Sequence, residues 1–346
     1  MEDKLYCCDS FLMYRFIADP LKSFSNDVIP FFFKEDPRKY LIKSVDDVEY
    51  AIKSYIDEIH NSGGKIGLAL SGGIDSAILA KYVPKDVVSY TFRCVAPGTL
   101  DETVIAKQYA DRCGLKHKCI DVTWQDYLDY STILMRHKGA PIHSIEPQIY
   151  KAAIIAKEDG VTHMLFGENA DIIFGGMDGL LAKDWTFDEF VKRYMYLDPP
   201  KILKNGKREM LPFEEFRKGN AIDFYGFICK YFYHEANNSY ENACVTAGLR
   251  YASPFNRMKL DIDLDYGRIR KGDTKYILRM LFNKLYPDLG QPIKVPMPRA
   301  VQQWLENWEG PVRQEFIPGC IEGLKPDQKW MVFILERFLN QIDNNE

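Results

Sequence analysis

The sequence predicts an α/β fold: a parallel, twisted sheet with helices on both faces, followed by a mostly helical C-terminal half. Three observations carry this. Short apolar runs at 66–70, 87–92, 117–122 and 162–166 alternate with stretches of helical periodicity, the pattern of βαβ units. Two of these runs lead straight into glycine-containing turns, 71–76 and 167–176. Beyond about residue 181 the strand-like runs give way to helical ones, at 185–197, 221–235, 273–285 and 327–342.

Each element has a local reason. Ser44 followed by Asp47 resembles a capping box, so a helix should follow, with Val45, Val48, Ala51, Ile52, Tyr55 and Ile56 apolar. Gly63-Gly64 marks a turn into the first strand, 66–70, and 77–82 reads as helical. The helix at 102–113 should stop at Gly114, and the one at 148–157 near Gly160. The 273–285 helix has Asp273 as its expected cap. Pro292, Pro296 and Pro298 remove donors and fix φ, so the 291–298 segment should be extended or looped. Residues 1–45 mix aromatics with Asp, Pro and Ser and read as an irregular arm or small subdomain. Residues 46–346 read as one α/β domain, with a strand–helix core at about 60–180 and a helical part at about 181–346.

Composition narrows the function. With 46% apolar residues among 346, a sizeable core is available. A net charge of -4 argues against a general nucleic-acid binder, which needs a basic excess. There is no apolar run long enough for a membrane span, and Met1-Glu2-Asp3-Lys4 leads into no signal-peptide core, so a cytoplasmic protein is expected. The eight cysteines include no C-x-x-C pair, which argues against zinc knuckles, iron–sulfur sites and thioredoxin-like chemistry.

Ser71-Gly72-Gly73-Ile74-Asp75-Ser76 joins a strand to a helix start. Its glycines let a ligand approach the backbone, its amides suit anionic oxygens, and Ser71 and Ser76 add hydroxyls. Asp75 beside a phosphate calls for Mg²⁺. The segment is not a Walker A loop, for no G-x-x-x-x-G-K-S or -T occurs. The plain alternative is a Ser/Gly turn capping a helix. In the second turn, Glu168 and Asp171 are three apart, so a helical turn would put both carboxylates on one face. Here the plain alternative is two solvated acids near a helix start.

The first loop resembles the SGGxDS loop of the ATP-pyrophosphatase, or PP-loop, superfamily, whose members bind ATP, adenylate a substrate and release pyrophosphate. Gly167-Glu168-Asn169-Ala170-Asp171-Ile172-Ile173-Phe174-Gly175-Gly176 resembles the G-E-G-A-D-E-x-F-G-G segment of the asparagine synthetase family. Asp101-Glu102 with Ala106, Ala110, Gly114 and His117, then Ser253-Pro254-Phe255, and then Lys275 through Pro287, extend the likeness from about 60 to 305. The resemblance implies an adenine nucleotide alpha-hydrolase-like fold and an amidotransferase-type ligase using ATP and Mg²⁺. The phosphates would lie on Ser71, Gly72, Gly73, Asp75 and Ser76, with Gly167 beside them and the base near Phe92 and Cys94. Asp75 and Asp171 would bind the metal. Glu168 would hold or deprotonate the nitrogen nucleophile, and Lys294 would meet the developing phosphate charge. Arg250, Lys275 and Arg279 are further cationic candidates. His143, Glu146 and Gln148 are candidates for the acceptor pocket, or else surface or cap residues.

The sequence also departs from that pattern. Ile172 stands where the family usually has Glu, Asn169 replaces the middle glycine, and Ser253-Pro254-Phe255-Asn256 lacks the usual Arg and Asp. These changes bear on the substrate more than on ATP. Residue 2 is Glu2, not the nucleophilic cysteine of a glutaminase domain, and 70 residues precede the first loop, too few for that domain. Nitrogen is therefore expected from ammonia, from a separate glutaminase subunit or from a substrate amine. A small-molecule carboxylate is the expected co-substrate, and a homo-oligomer is compatible with the chain. Two other functions remain open: adenylation for sulfur transfer to tRNA, and a non-catalytic nucleotide-binding subunit.

Overall fold

The computed structural model describes residues 1–290, 292 and 297–344. Five parallel strands form the central sheet: β2 (Ile66–Ala69), β3 (Val88–Cys94), β4 (Lys116–Val122), β5 (His163–Leu165) and β6 (Arg250–Ala252). Their spatial order is β4-β3-β2-β5-β6. Two short strands, β1 (Tyr40–Ile42) and β7 (Met258–Leu260), pair in parallel apart from this sheet.

Helices cover both faces. One layer holds α2 (Val45–Asn61), α3 (Ile74–Ala80), α4 (Thr103–Cys113) and α10 (Tyr276–Leu285). The other holds α5 (Trp124–Lys138), α6 (Glu146–Glu158) and α9 (Tyr233–Thr246). Each layer has its own apolar core against the sheet. The capping box at α2 is formed: the Asp47 N–H donates to Ser44 Oγ at 3.3 Å, and the Ser44 N–H donates to Asp47 Oδ2 at 2.9 Å. The apolar face of α2 buries Val48, Ala51, Ile52 and Ile56. α4 ends at Gly114, whose left-handed φ of 69° suits a glycine stop. Among the described residues, no helix is long and apolar enough to cross a membrane.

Several elements differ from expectation. Within residues 1–45, helix α1 (Lys4–Tyr14) is regular and buries Phe11, Leu12, Met13 and Tyr14. It packs on α11 (Pro326–Asp343), near the other end of the sequence, a contact that no local pattern announces. Nor does a local pattern announce α5 or the three-residue strand β6. α5 carries Ser131 and Lys138 on its buried face, which blurs its apolar period, although Thr123 and Asp126 form a capping box at its start. The second loop contains a four-residue turn of helix, α7 (Ala170–Ile173), and the run at 185–197 narrows to α8 (Phe187–Tyr194). The run at 221–235 is not one helix: a short helix, Phe224–Phe227, and a π turn, Ile228–Phe232, lead into α9. The wider π turn changes the face that α9 presents. Asp273 does not cap α10; Lys275 occupies the cap position with a φ of 51°.

The strand order determines where a ligand binds. The chain runs outward from β2 to β3 and β4, then returns to place β5 on the other side of β2. The crevice beyond the carboxyl ends of β2 and β5 is therefore the topological switch point of the sheet. Both glycine-containing loops leave from these two strand ends.

Candidate functional site

The loop after β2 meets the loop after β5 at close quarters. A Cβ on Gly167 would lie 2.9 Å from the Asp75 Cβ and 3.1 Å from the Ser76 nitrogen, so glycine is what allows this approach. Within the first loop, the Ser71 N–H donates to Ser76 Oγ at 3.0 Å, and the Gly73 N–H donates to Ser71 Oγ at 3.2 Å. The two serines thereby shape the turn themselves.

A cavity of about 250 Å³ opens over both loops. Ser71, Gly73, Asp75, Ser76, Phe92, Gly167, Glu168 and Asp171 all line it, so residues singled out from three separate segments share one crevice. Gly72 lies in the same turn, and its N–H favours the ionised form of the Glu102 carboxyl, another lining residue, whose pKa burial raises. Cys94 is not part of the lining. Its buried thiol donates to Gln148 Oε1 at 3.3 Å and faces the Pro298 carbonyl at 3.7 Å. Lys294 lies outside the described residues.

The charge pattern centres on Lys275. Its Nζ is 2.7 Å from Asp75 Oδ2 and 3.0 Å from Asp171 Oδ1. Burial acts to lower the lysine pKa, but the two carboxylates outweigh it and hold the group well above its ordinary value. The acids of both loops thus converge on one cationic point. Among the described residues, no cluster of three or more His, Cys, Asp or Glu side chains forms a metal cage. Two carboxylates suit Mg²⁺ where phosphate oxygens and water complete its shell.

Glu168 is perturbed in the opposite sense. Burial pushes its pKa up to about 7; the nearby Tyr240 hydroxyl and Asn169 N–H oppose the rise, while the Asp171 charge adds to it. Tyr240, on α9, also lines the cavity, and no sequence motif marks it. Only its spacing from Tyr233 and Asn237 places it with them on one helix face.

The remaining candidates separate by position. Arg279 joins Lys275 in the cavity wall, one helical turn further along. Arg250 pairs in register with His163 at the amino end of β6, the wrong end of a parallel strand for the crevice. His143, Glu146 and Gln148 are neither in the wall of this cavity nor on the surface, although His143 lines a small separate pocket with Arg15 and Trp330. All three are buried, and the Glu146 carboxylate accepts from Lys138 Nζ at 2.5 Å and from the His143 N–H at 2.7 Å. They build a polar core away from the cavity wall.

A model of the asparagine synthase family matches residues 56–259, which include both loops, β2 through β6 and α9. The chain belongs to the asparagine synthase family. It is also 26% identical, over 152 residues, to the Methanocaldococcus jannaschii protein named Putative asparagine synthetase (glutamine-hydrolyzing) 1. That match covers 41% of this chain and 25% of the relative, so the likeness spans about a quarter of the relative's length. Membership in this family supports an ATP-dependent amide ligase as the general class of activity.

Proposed function

We propose that the chain adenylates a small-molecule carboxylate with ATP, releases pyrophosphate, and transfers the acyl group to ammonia or an amine. The observation that carries this reading is the pairing of Asp75 and Asp171, from two loops, around Lys275 in the same cavity as Glu168.

The residues divide the work by position. The 71–76 turn would receive the ATP phosphates through its amides and serine hydroxyls, with Phe92 beside the nucleotide. Asp75 and Asp171 would hold Mg²⁺, for they already reach one cationic centre. When bound, the ion would neutralise phosphate charge. Lys275 and Arg279 supply fixed positive charge to the same wall. In the first step a substrate carboxylate oxygen attacks the α-phosphorus, and the bond to the bridging oxygen breaks as pyrophosphate leaves. In the second, nitrogen attacks the acyl carbon, AMP departs with the bonding electrons, and Glu168 takes the proton. A carboxyl with a pKa of about 7 is suited to that transfer near neutrality. Lys294 is proposed to stabilise charge in both steps. Ammonia would come from solution or from a separate glutaminase subunit. A cytoplasmic setting, with no nucleic acid or membrane partner, goes with this chemistry.

The test is ATP–pyrophosphate exchange across a set of carboxylic acids, with ammonia omitted. A substrate acid is expected to drive exchange, and Asp75→Asn is expected to abolish it. Exchange with no acid, or wild-type exchange in Asp75→Asn, would overturn the assignment.

A further inference from the structure

We infer that Asn169, Asn237 and Asn256 form a positioning device that holds the Glu168 carboxyl for the nitrogen-transfer step. This rests on the amide-ligase reading above. Two positions that depart from the family pattern, Asn169 and Asn256, are in direct contact: Asn169 Nδ2 donates to Asn256 Oδ1. Asn169 Nδ2 also donates to Asn237 Oδ1 at 3.0 Å, and Asn169 Oδ1 accepts from Asn237 Nδ2 at 3.4 Å.

Asn237 is the hub. Its Oδ1 accepts from Asn256 Nδ2 at 2.8 Å and from the Tyr251 hydroxyl at 3.0 Å, besides Asn169. Its Nδ2 donates to the Tyr233 carbonyl at 2.7 Å, which anchors it to its own helix. Asn169, Asn237 and Asn256 are 1%, 0% and 9% exposed, so water cannot replace a lost partner cheaply. Such a network holds or fails largely as a unit.

The network bears on Glu168 through the backbone. Asn169 has a φ of 70°, a left-handed conformation that costs a residue with a side chain. In that conformation its N–H lies near the Glu168 carboxyl, the side chain of the residue before it, and favours its ionised form. The side-chain ties of Asn169 hold the peptide in place. Three residues along α9 from Asn237, Tyr240 lines the cavity with Glu168, and its hydroxyl favours the ionised form of the same carboxyl. One helix face therefore holds Asn169 and sets Tyr240 beside Glu168. From the β6 side, Ser253 Oγ donates to the Glu168 carbonyl at 2.8 Å.

Only the second half-reaction needs this placement. There the nitrogen lone pair forms the C–N bond, the acyl carbon–oxygen bond to AMP breaks, and the proton passes from nitrogen to the Glu168 carboxylate. Adenylation moves no proton at Glu168. A carboxylate displaced by about 1 Å loses on the order of 100-fold in rate.

The test uses Asn169→Gly, which keeps the left-handed backbone but removes the amide, and Asn237→Leu, which removes the hub at similar volume. Exchange is measured with ATP, pyrophosphate and the acid active in the wild-type chain. Transfer is measured as AMP release with ammonia, and the adenylate is trapped separately with hydroxylamine. The expected result is exchange within about threefold of wild type, with ammonia transfer down on the order of 10–100-fold. Hydroxylamine, a stronger nucleophile, should be affected less. The double variant should be no slower than Asn237→Leu alone, as for residues acting together. Should Asn237→Leu fail to fold, Asn169→Gly decides alone. Equal loss of exchange and transfer, or unchanged transfer, would overturn the inference while leaving the ligase intact. A wild-type chain that exchanges with no acid would instead overturn the ligase reading and this inference with it.

Discussion

Replacing Lys275 by Met removes one ammonium from between two carboxylates. At 2.7 and 3.0 Å, with an effective dielectric of about 20, each ion pair has a gross attraction of about 6 kcal/mol. Desolvation of the lysine offsets most of this. The relevant quantity is the cost of deleting one member of a buried pair, about 3–5 kcal/mol. The side chain of Lys275 is 6% exposed and that of Asp75 16%, but that of Asp171 is 35%, so solvent relieves part of the strain. About 3 kcal/mol is the resulting expectation. The left-handed φ of 51° is common to wild type and variant and cancels. At about 2 °C per kcal/mol for a chain of this size, the melting temperature should fall by about 6 °C.

The lysine pKa is raised on folding, so its contribution is complete below the unfolded value of about 10.4 and fades only as pH rises through the folded value. A melt at pH about 7.5 therefore reads the whole effect. The specific signature is metal rescue. Millimolar Mg²⁺ should raise the melting temperature of Lys275→Met more than that of wild type, because the acids regain a cation. A variant as stable as wild type, with the same Mg²⁺ response, would refute the idea that the two loops share a cation centre.

The neighbouring residues give further expectations. Glu168→Gln should spare ATP–pyrophosphate exchange and cut ammonia transfer by about 10²–10⁴-fold, and the wild-type transfer rate should rise with pH through about 7 as the carboxyl ionises. Because folding raises this carboxyl pKa, its ionisation destabilises the fold above about pH 4.3 and fully so above about pH 7. Glu168→Gln should therefore be more stable than wild type at about pH 8, by up to about 3 kcal/mol; a urea melt showing no gain would refute this. Gly167→Ala forces a methyl to within 2.9 Å of the Asp75 Cβ and should separate the loops, and titration calorimetry should show ATP binding weakened at least about tenfold. Unchanged affinity would mean that the close approach is not needed.

What is legible in the sequence is what is local. The 71–76 turn, the Glu168 and Asp171 spacing and the four apolar runs each fit within ten residues, and strand–helix alternation sends both turns to the same edge of a parallel sheet. Phe92 follows from the same logic, since it lies near the end of β3. Cys94 does not: two residues further on, it keeps the strand face, but the strand says nothing of the loop that covers it. What stays hidden joins distant segments. Lys275 and Asp75 are 200 residues apart, and Asn169 lies 68 residues from Asn237 and 87 from Asn256. In the sequence Asn169 and Asn256 are only exceptions to a motif, each without a reason. Their contact supplies one: a buried amide needs a buried partner, so a polar residue in the loop makes a polar partner across the gap favourable. Departures from a motif that touch in space are then one structural feature, and the motif residue beside them in the cavity, Glu168, is where its effect is felt.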